Sequence, residues 1–431
     1  MSTTATARPA LMGLARLMRL AFDKADLQPL AHALIERASH DEHDANALMD
    51  LSTLLQLQGI RDLGLGTLAQ ALQVSHVYEL PAARAPALRL LALMTPGELM
   101  ANAPLPFLFE DGDVALTMLY LMPGEPLPRT LPPHDVAFVA ASESDATRGL
   151  LKQLAGAIGQ WPRAVINRPD RIALTARTEA CDVLADAPGI AMPATARAPR
   201  AALQSIAEGR VDLARLLPDG PYPLLVRPVD SHAGQDLAKI DDAAALAAYL
   251  AATAGAEFYL SRFVDYRGAD GLFRKIRVVL IDGLPYAGHL GVSAHWMIHY
   301  LNAGMADSAE KRAEEEAFMR DFDSGFARRH AAALAAISQR FGLEYLVVDC
   351  AETATGELLV FEVDPGAVVH SMDSAELFPY KVEPMRRVFA AFRALLGKKA
   401  GLALATEAAM APTGGSVMER AAIAFAANPV R

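Results

Sequence analysis

The sequence predicts a chain of mixed α/β and α+β class, in which an all-helical domain precedes a small parallel α/β domain and a larger α+β domain. Three observations support this prediction. Apolar residues recur at helical spacing over residues 8–75. Apolar strands alternate with helical segments over residues 86–195, which is typical of a parallel sheet. Over residues 196–400 the strand candidates are joined by short turns, which indicates local antiparallel pairing.

The composition limits the class of protein. The chain has 431 residues, which is enough for about three domains. Hydrophobic residues make up 52% of it, so a large core can form. The net charge is -10 and no basic block occurs, which disfavours a nucleic-acid partner. The two cysteines, Cys181 and Cys350, give no disulfide framework.

The sequence also bears on location. The segment 1–20 carries arginines among its apolar residues and lacks a clean apolar core with a small-residue cleavage site. We therefore do not interpret it as a signal peptide. No uncharged apolar stretch reaches the length of about 18 residues that a transmembrane helix needs. We expect a soluble cytoplasmic protein with no membrane partner.

The N-terminal domain, residues 1–80, is predicted to contain four short helices in two hairpins. Leu11, Leu14, Met18 and Phe22 illustrate the helical spacing of its apolar residues. Two hairpins resemble tetratricopeptide-type repeats, although such arrays usually contain more units. Packing on the neighbouring domain is the alternative. The extra helices also suggest docking of a peptide or protein, such as a precursor peptide, or a homodimer interface.

The other predicted elements divide the chain at residues 86–195, 196–400 and 401–431, the last being a partly ordered tail. An Asp282-Gly283 pair between two apolar runs predicts a tight hairpin turn. Helices are expected at 145–158 and 323–341. Strands are expected at 88–94, 114–120, 135–140, 163–167, 224–226, 258–263, 275–281, 284–288, 346–349 and 358–363.

Three acids near the end of the last two strands are the strongest chemical signal. Asp349 ends one apolar strand, and Glu362 and Asp364 lie two apart at the end of the next, so all three can share a face. Adjacent carboxylates repel each other unless a cation is present. Oxygen ligands suit Mg²⁺, so we predict a metal site. Solvated acids at strand ends are the alternative.

This pattern resembles the ATP-grasp superfamily, in which a strand-borne Asp is followed about a dozen residues later by Glu-x-Asn. Asp364 stands here where the family usually has Asn. Upstream, residues 189–195 resemble the family's Gly-Ile-x-x-Pro-x-Thr phrase, and residues 223–228 resemble its strand ending in Lys-Pro. The resemblance is to the branch of glutathione-synthetase-like and ribosomal-protein-glutamate-ligase-like carboxylate–amine ligases. It implies an ATP-grasp fold over residues 196–400.

The resemblance implies cofactor-binding residues for ATP. Arg177 and Arg227 stand at or near the places of two phosphate-binding lysines, and Gly234 is the glycine of the expected phosphate loop. The backbones of Arg262 and Val264 would pair with adenine. Asp265 would hold the ribose; it is the last of these cofactor-binding candidates.

The resemblance also implies catalytic residues. Lys275 and Arg277 share one face of a strand that meets phosphates and substrate, and two cations on one face favour an anion there. His299 is the nearest polar residue in the expected substrate segment, which ends at Gly304. A satisfied, half-buried histidine is the alternative for His299.

The implied activity is an ATP- and Mg²⁺-dependent carboxylate–amine ligase. It would form an amide or peptide bond through an acylphosphate, on a small amino acid or peptide. Because arginines replace the expected lysines, a nucleotide-binding scaffold without turnover is an alternative. A phosphotransferase that uses the same site is another.

Overall fold

We describe a computed structural model of the chain, which covers residues 9–218, 220, 222–229, 231, 234–299 and 302–404. The predicted tail lies outside these residues from position 405 onward. Four helices open the described chain, as the helical spacing predicts. They are α1 (Leu14–Phe22), α2 (Gln28–His40), α3 (Ala45–Leu57) and α4 (Arg61–Val74).

Two buried aspartates organise these helices. Asp44 caps α3, because its carboxylate accepts a hydrogen bond from the backbone N–H of Ala47 at 2.9 Å. Asp50, inside α3, is 0% exposed and accepts from the backbone N–H groups of Met12 at 2.9 Å and Gly13 at 3.0 Å. Burial raises the pKa of Asp50 to about 6. Asp50 thus attaches the start of α1 to the middle of α3.

The first sheet has the strand order β1–β3–β2–β4–β5. Strands β2 to β5 are parallel, as predicted, and the edge strand β1 is antiparallel to β3. Only β1 was not expected, because a four-residue edge strand has too few residues to show an alternation. The elements are β1 (Val77–Leu80), β2 (Leu88–Met94), β3 (Val114–Tyr120), β4 (Val136–Val139), α5 (Arg148–Ala157) and β5 (Val165–Ile166).

The second sheet is antiparallel, with the order β7–β10–β8–β9, and encloses a core of its own. The chain reaches it through α6 (Pro169–Ile172), α7 (Arg177–Leu184) and β6 (Ile190–Ala191). The sheet and its helices are β7 (Thr195–Pro199), α8 (Arg200–Ala207), β8 (Leu224–Pro228), β9 (Ala238–Ile240), α9 (Ala243–Ala252) and β10 (Glu257–Arg262).

The third sheet has the order β12–β11–β13–β14–β6, in which β6 alone is parallel to its neighbour. Asp282 and Gly283 both have positive φ, 50° and 82°, so the predicted two-residue turn between β11 and β12 is confirmed. The strands are β11 (Phe273–Ile281), β12 (Leu284–Ser293), β13 (Tyr345–Glu352) and β14 (Leu358–Asp364). The predicted α/β and α+β class is therefore correct.

The helices beside the third sheet differ from the prediction. The single helix expected at 323–341 is wrong: α11 (Phe326–Arg329) ends and α12 (Ala331–Phe341) begins at His330, whose Nε2 lies 2.7 Å from Glu352 Oε1. We also missed α10 (Ala309–Arg320), because its charged sequence shows no apolar stripe. The last described helix is α13 (Val382–Ala400).

A buried carboxylate attaches α10 to the sheet. Glu315 is 0% exposed and accepts hydrogen bonds from the backbone N–H of Leu290 at 3.1 Å and the hydroxyl of Tyr380 at 2.7 Å. Lys381, just before α13, places its Nζ 3.0 Å from Glu315. This side chain therefore joins α10, β12 and the start of α13.

The N-terminal helices share a hydrophobic core with the first sheet and α13, through residues such as Leu48, Leu72, Leu90 and Phe392. Packing thus accounts for much of their apolar surface. The tetratricopeptide-like assignment, peptide docking and a homodimer interface remain predictions. Within the described residues, no helix is long and apolar enough to cross a membrane.

Candidate anion-binding and metal site

The register of the third sheet places three predicted site residues side by side. On β13, Asp349 lies opposite Arg277 of β11 on one side and opposite Glu362 of β14 on the other. Directly opposite residues project to the same face of a sheet. A row across β11, β13 and β14 therefore consists of one cation, Arg277, and two carboxylates, Asp349 and Glu362.

Asp349 is the centre of an ion-paired group. Arg277 donates to both carboxylate oxygens, from Nε at 2.7 Å and Nη2 at 2.9 Å, and Lys275 Nζ lies 2.8 Å away. The Asp349 side chain is 5% exposed. Burial favours its neutral form, but Arg277 and Lys275 outweigh that effect and hold its pKa well below the ordinary value. Arg277 is also fixed by donating to the Val368 carbonyl at 2.7 Å.

Glu362 forms a second group with cations from other elements. Arg177, the first residue of α7, reaches Glu362 with Nη2 at 2.5 Å. Burial opposes ionisation of Glu362, but Arg177 and then Arg227 lower its pKa. Arg227, at the end of β8, donates to Ser231 and has a pKa lowered to about 10 by burial and by Arg177. Arg177 thus contacts Glu362 directly, and Arg227 lies near enough for its charge to lower the pKa of Glu362.

Asp364 ends β14 close to this group. Its Oδ1 accepts from the backbone N–H of Gly366 at 2.7 Å. Burial, followed by the nearby charge of Glu362, raises the pKa of Asp364 to about 7. The site therefore contains two strongly ionised carboxylates and a third that resists ionisation.

The metal site at Asp349, Glu362 and Asp364 remains a prediction. In the described part of the chain, no three His, Cys, Asp or Glu side chains converge as metal ligands. The reason is that the Asp349 carboxylate is directed to Lys275 and Arg277. Glu362 and Asp364 remain a suitable pair, because they share a strand face and Mg²⁺ often takes only one or two carboxylates besides phosphate. The Glu362 side chain is 41% exposed and so is accessible to an ion.

The expected phosphate loop, which contains Gly234, lies next to the expected substrate segment, which contains His299. Gly234 has φ of 76°, and a Cβ there would lie 3.0 Å from Met297 Sδ. His299 follows on the same segment, where its backbone N–H donates to Asn302 at 2.9 Å. Burial and the charges of Lys275 and Arg277 lower the pKa of His299, so its imidazole is near these cations.

The candidates for adenine and ribose binding lie at the end of β10 and just after it. Arg262 is exposed at the end of β10, and Val264 packs against the core of the third sheet. The carboxylate of Asp265 accepts from the backbone N–H of Arg267 at 3.1 Å and pairs with its guanidinium at 3.4 Å. No contact here joins Asp265 to the cations of the site among the described residues, so its role with ribose remains a prediction.

The sequence did not lead us to several residues that lie near the site. Tyr259 of β10 lies opposite Arg197 of β7 and Arg227 of β8, so a polar row crosses the second sheet. His289 of β12 lies opposite Arg277, and burial and that cation hold its pKa well below the ordinary value. Isolated polar residues within strands give no motif. Only the strand register, which depends on distant segments, could have identified them.

The arrangement favours anions. Four cations, Arg177, Arg227, Lys275 and Arg277, surround two carboxylates whose pKa values are lowered. Positive charge is thus in excess, and part of it comes from arginines that can bind phosphate with two hydrogen bonds. A phosphate group at this place would meet positive charge that the surrounding elements hold in position.

These features define a mixed α/β protein with an electropositive site where the second and third sheets meet. The sequence matches no family model. The structure is similar to VanG D-Ala:D-Ser ligase from Enterococcus faecalis, with 15% identity, 73% of this chain and 100% of that chain covered, and a TM-score of 0.45.

Two further solved structures are similar to the chain. A RimK domain ATP-grasp protein from Sphaerobacter thermophilus shows 16% identity, covers 70% and 98% of the two chains, and has a TM-score of 0.38. The D-alanine–D-alanine ligase from Bacillus anthracis, complexed with ATP, shows 12% identity, covers 73% and 97%, and has a TM-score of 0.41. At such identities and TM-scores, the activity has to be argued from this chain's own residues.

Proposed function

We propose that this chain is an ATP- and Mg²⁺-dependent carboxylate–amine ligase of the ATP-grasp type, acting on a small amino acid or peptide. The observation that carries the proposal is the convergence of Arg177, Arg227, Lys275 and Arg277 on Asp349 and Glu362. Cations from a helix and two sheets are costly to gather unless an anion binds among them. The sequence resemblance implies that this anion is the triphosphate of ATP.

The reaction has two steps. A substrate carboxylate oxygen attacks the γ-phosphorus, the bond to the ADP oxygen breaks, and an acylphosphate forms. The nitrogen of an amine then attacks the acyl carbon, phosphate leaves, and the amine loses a proton. Charge on the transferred phosphoryl group has to be offset throughout, which is the work of positioned cations.

The residues are suited to different parts of this work. Arg277 is held by Asp349 and the Val368 carbonyl, so its position is fixed before a substrate arrives. Arg177 and Arg227 come from separate elements beside the partly exposed Glu362, where Arg177 pairs with Glu362 and Arg227 donates to Ser231. Mg²⁺, when bound, would offset phosphate charge, and Glu362 and Asp364 are the residues that would hold it.

Hydroxylamine tests the first step directly. Acylphosphates react with hydroxylamine to give hydroxamates, so ATP, Mg²⁺ and a panel of carboxylic acids should yield a hydroxamate and ADP with at least one acid. If the protein binds nucleotide but forms neither hydroxamate nor ADP with any acid of the panel, the proposed ligase activity is contradicted. The alternative, a nucleotide-binding scaffold without turnover, would then be favoured. A phosphorylated product that is stable to hydroxylamine would identify a phosphotransferase.

Glu362 provides the sharpest variant. Glu362→Gln removes the charge that pairs with Arg177 and suits a metal, so Mg²⁺-dependent ATP use should fall by roughly 10²–10³-fold or more. The matched control is Glu357→Gln in the exposed turn between the same two strands, which should retain activity. Equal activity of Glu362→Gln and wild type would show that the site is placed wrongly.

A further inference from the structure

A buried hydroxyl beside the site has no hydrogen-bond partner. Among the described residues, Ser142 Oγ and Tyr222 OH are the buried side-chain polar atoms without one. Such a group costs free energy, and it needs a reason such as a ligand that completes it. Tyr222 packs at the core of the second sheet, whereas Ser142 lies next to the candidate site.

The topology of the first sheet places Ser142 where ligands bind. From β2 the chain passes to β3 on one side and then crosses to β4 on the other. In open α/β sheets, the crevice outside the carboxyl ends of two such strands is the usual ligand site. Ser142 follows β4 closely and its backbone N–H donates to Ala101 at 2.9 Å, which fixes its position at this crevice.

Gly366 lies where the carboxyl end of β4 approaches the candidate site. A Cβ on Gly366 would lie 2.2 Å from Ser142 Oγ and 3.2 Å from Asp364 Oδ1. The serine hydroxyl and the Asp364 carboxylate therefore border the same glycine. The first sheet thus contributes a side chain to a site that otherwise consists of residues from α7, β8, β11, β13 and β14.

Ser142 is followed by two acids, Glu143 and Asp145, which pair with Arg148 and Arg197, and the Asp364 carboxylate borders the same glycine as Ser142. Glu143 is largely buried, and burial together with the charges of Glu179 and Asp145 raises its pKa, although Arg148 opposes the shift. Ser142 can accept as well as donate a hydrogen bond. A ligand group that donates hydrogen bonds and tolerates nearby carboxylates is an amine.

We propose that the Ser142 hydroxyl accepts a hydrogen bond from the amino group of the acceptor substrate, an inference that rests on the proposed ligase activity. The triphosphate then lies on the cationic side of the site and the amine on the side of Ser142 and Asp364. Between them lies the 364–366 turn, next to which the acyl carbon has to be attacked.

Ser142→Ala separates this role from a structural one. Without ligand, the variant loses an unsatisfied hydroxyl, so its melting temperature should rise by about 1–3 °C. With an acid that wild type activates, and with common amino acids offered as the amine, KM for the amine should rise about tenfold. Hydroxamate formation from the same acid, where hydroxylamine replaces the amine, should stay within about twofold of wild type. The tenfold change corresponds to the loss of one hydrogen bond, about 1.4 kcal/mol.

Tyr222→Phe is the matched control, because it removes the other unsatisfied hydroxyl. Its melting temperature should also rise, while KM for the amine stays unchanged. A lower melting temperature of Ser142→Ala would mean that the hydroxyl is satisfied structurally and would overturn the proposal. So would an unchanged KM for the amine, or an equal loss of hydroxamate. If wild type forms no hydroxamate with any acid, the ligase proposal itself fails.

The contact with Gly366 has its own test. Gly366→Ala should lower the melting temperature, because its Cβ would clash with Ser142 Oγ. Adding Ser142→Ala should restore much of that loss, since the Ser142 Cβ is farther away, at 3.4 Å. Absence of any restoration would contradict the close approach on which the proposal depends.

Discussion

Two buried aspartates, Asp50 in the helices and Asp349 in the third sheet, occupy opposite electrostatic surroundings. Asp50 is 0% exposed and accepts from two backbone amides, and burial raises its pKa to about 6 although the charges of Arg37 and Arg16 oppose the shift. Asp349 is almost as buried, but Arg277 and Lys275 hold its pKa well below the ordinary value. Burial alone therefore does not decide the charge of a carboxylate here.

The difference between them separates structure from function. A carboxylate that accepts two backbone hydrogen bonds can attach two helices without a fixed charge, and a raised pKa means that its neutral form favours the fold. Asp349 has to stay ionised, because it positions cations that would otherwise repel each other. Fixed charge is needed where a charged ligand binds, and the helical region has no such need.

Removing the main cation of Asp349 should have the largest effect. Arg277→Ala leaves a buried carboxylate paired with Lys275 alone, and breaking a buried ion pair costs about 3–5 kcal/mol of unfolding free energy. Urea unfolding measures this cost. Arg274→Ala on the same strand, which breaks partly exposed pairs with Asp270 and Glu314, should cost less than about 1 kcal/mol. Equal losses would remove the distinction between the two environments.

The second-largest effect should be the pH dependence of stability that the titration of Asp50 causes. Because its pKa is raised in the folded protein, stability should fall as pH rises from about 4 to about 6, by roughly 3 kcal/mol for a shift of about two pKa units. Asp50→Asn removes this contribution. The difference in unfolding free energy between wild type and the variant, measured from pH 4 to pH 7, should therefore change over that window. A difference that is constant with pH would show that Asp50 is ionised throughout.

The cap of α3 should give the smallest effect. Asp44→Ala removes the hydrogen bond to the Ala47 N–H and the ion pair with Arg37, which together should cost about 1–2 kcal/mol. Thermal unfolding of the variant is the measurement. Asp62→Ala, in the first turn of α4, is a suitable control because its side chain is 96% exposed. If both variants lose the same stability, the cap contributes nothing specific.

Much of the fold could be predicted from local sequence. The seven-residue apolar run at 114–120 coincides with β3, and the Asp282-Gly283 turn forms as expected. Helices were missed where the sequence shows no local periodicity of apolar residues. In α10 the contact with the sheet is made by a carboxylate, Glu315, which a search for an apolar stripe treats as exposed.

The site was predictable in its residue types but not in its pairing. Spacing placed Lys275 and Arg277 on one face, which the ion pairs with Asp349 agree with. That Arg277 donates to both oxygens of Asp349 follows from the register of two strands far apart in sequence. Ser142 was missed for the same reason, since its neighbour Gly366 comes from a distant turn.

The buried Glu315 also affects the order in which its surroundings can fold during synthesis. Its backbone donor on β12 precedes it in the chain, but its hydroxyl donor Tyr380 and its cation Lys381 follow it. While the ribosome adds residues from the N-terminus, Glu315 emerges before either of these partners exists. The contacts of Glu315 with Tyr380 and Lys381 can therefore form only after the start of α13 has left the ribosome, so this side of the third sheet is completed late.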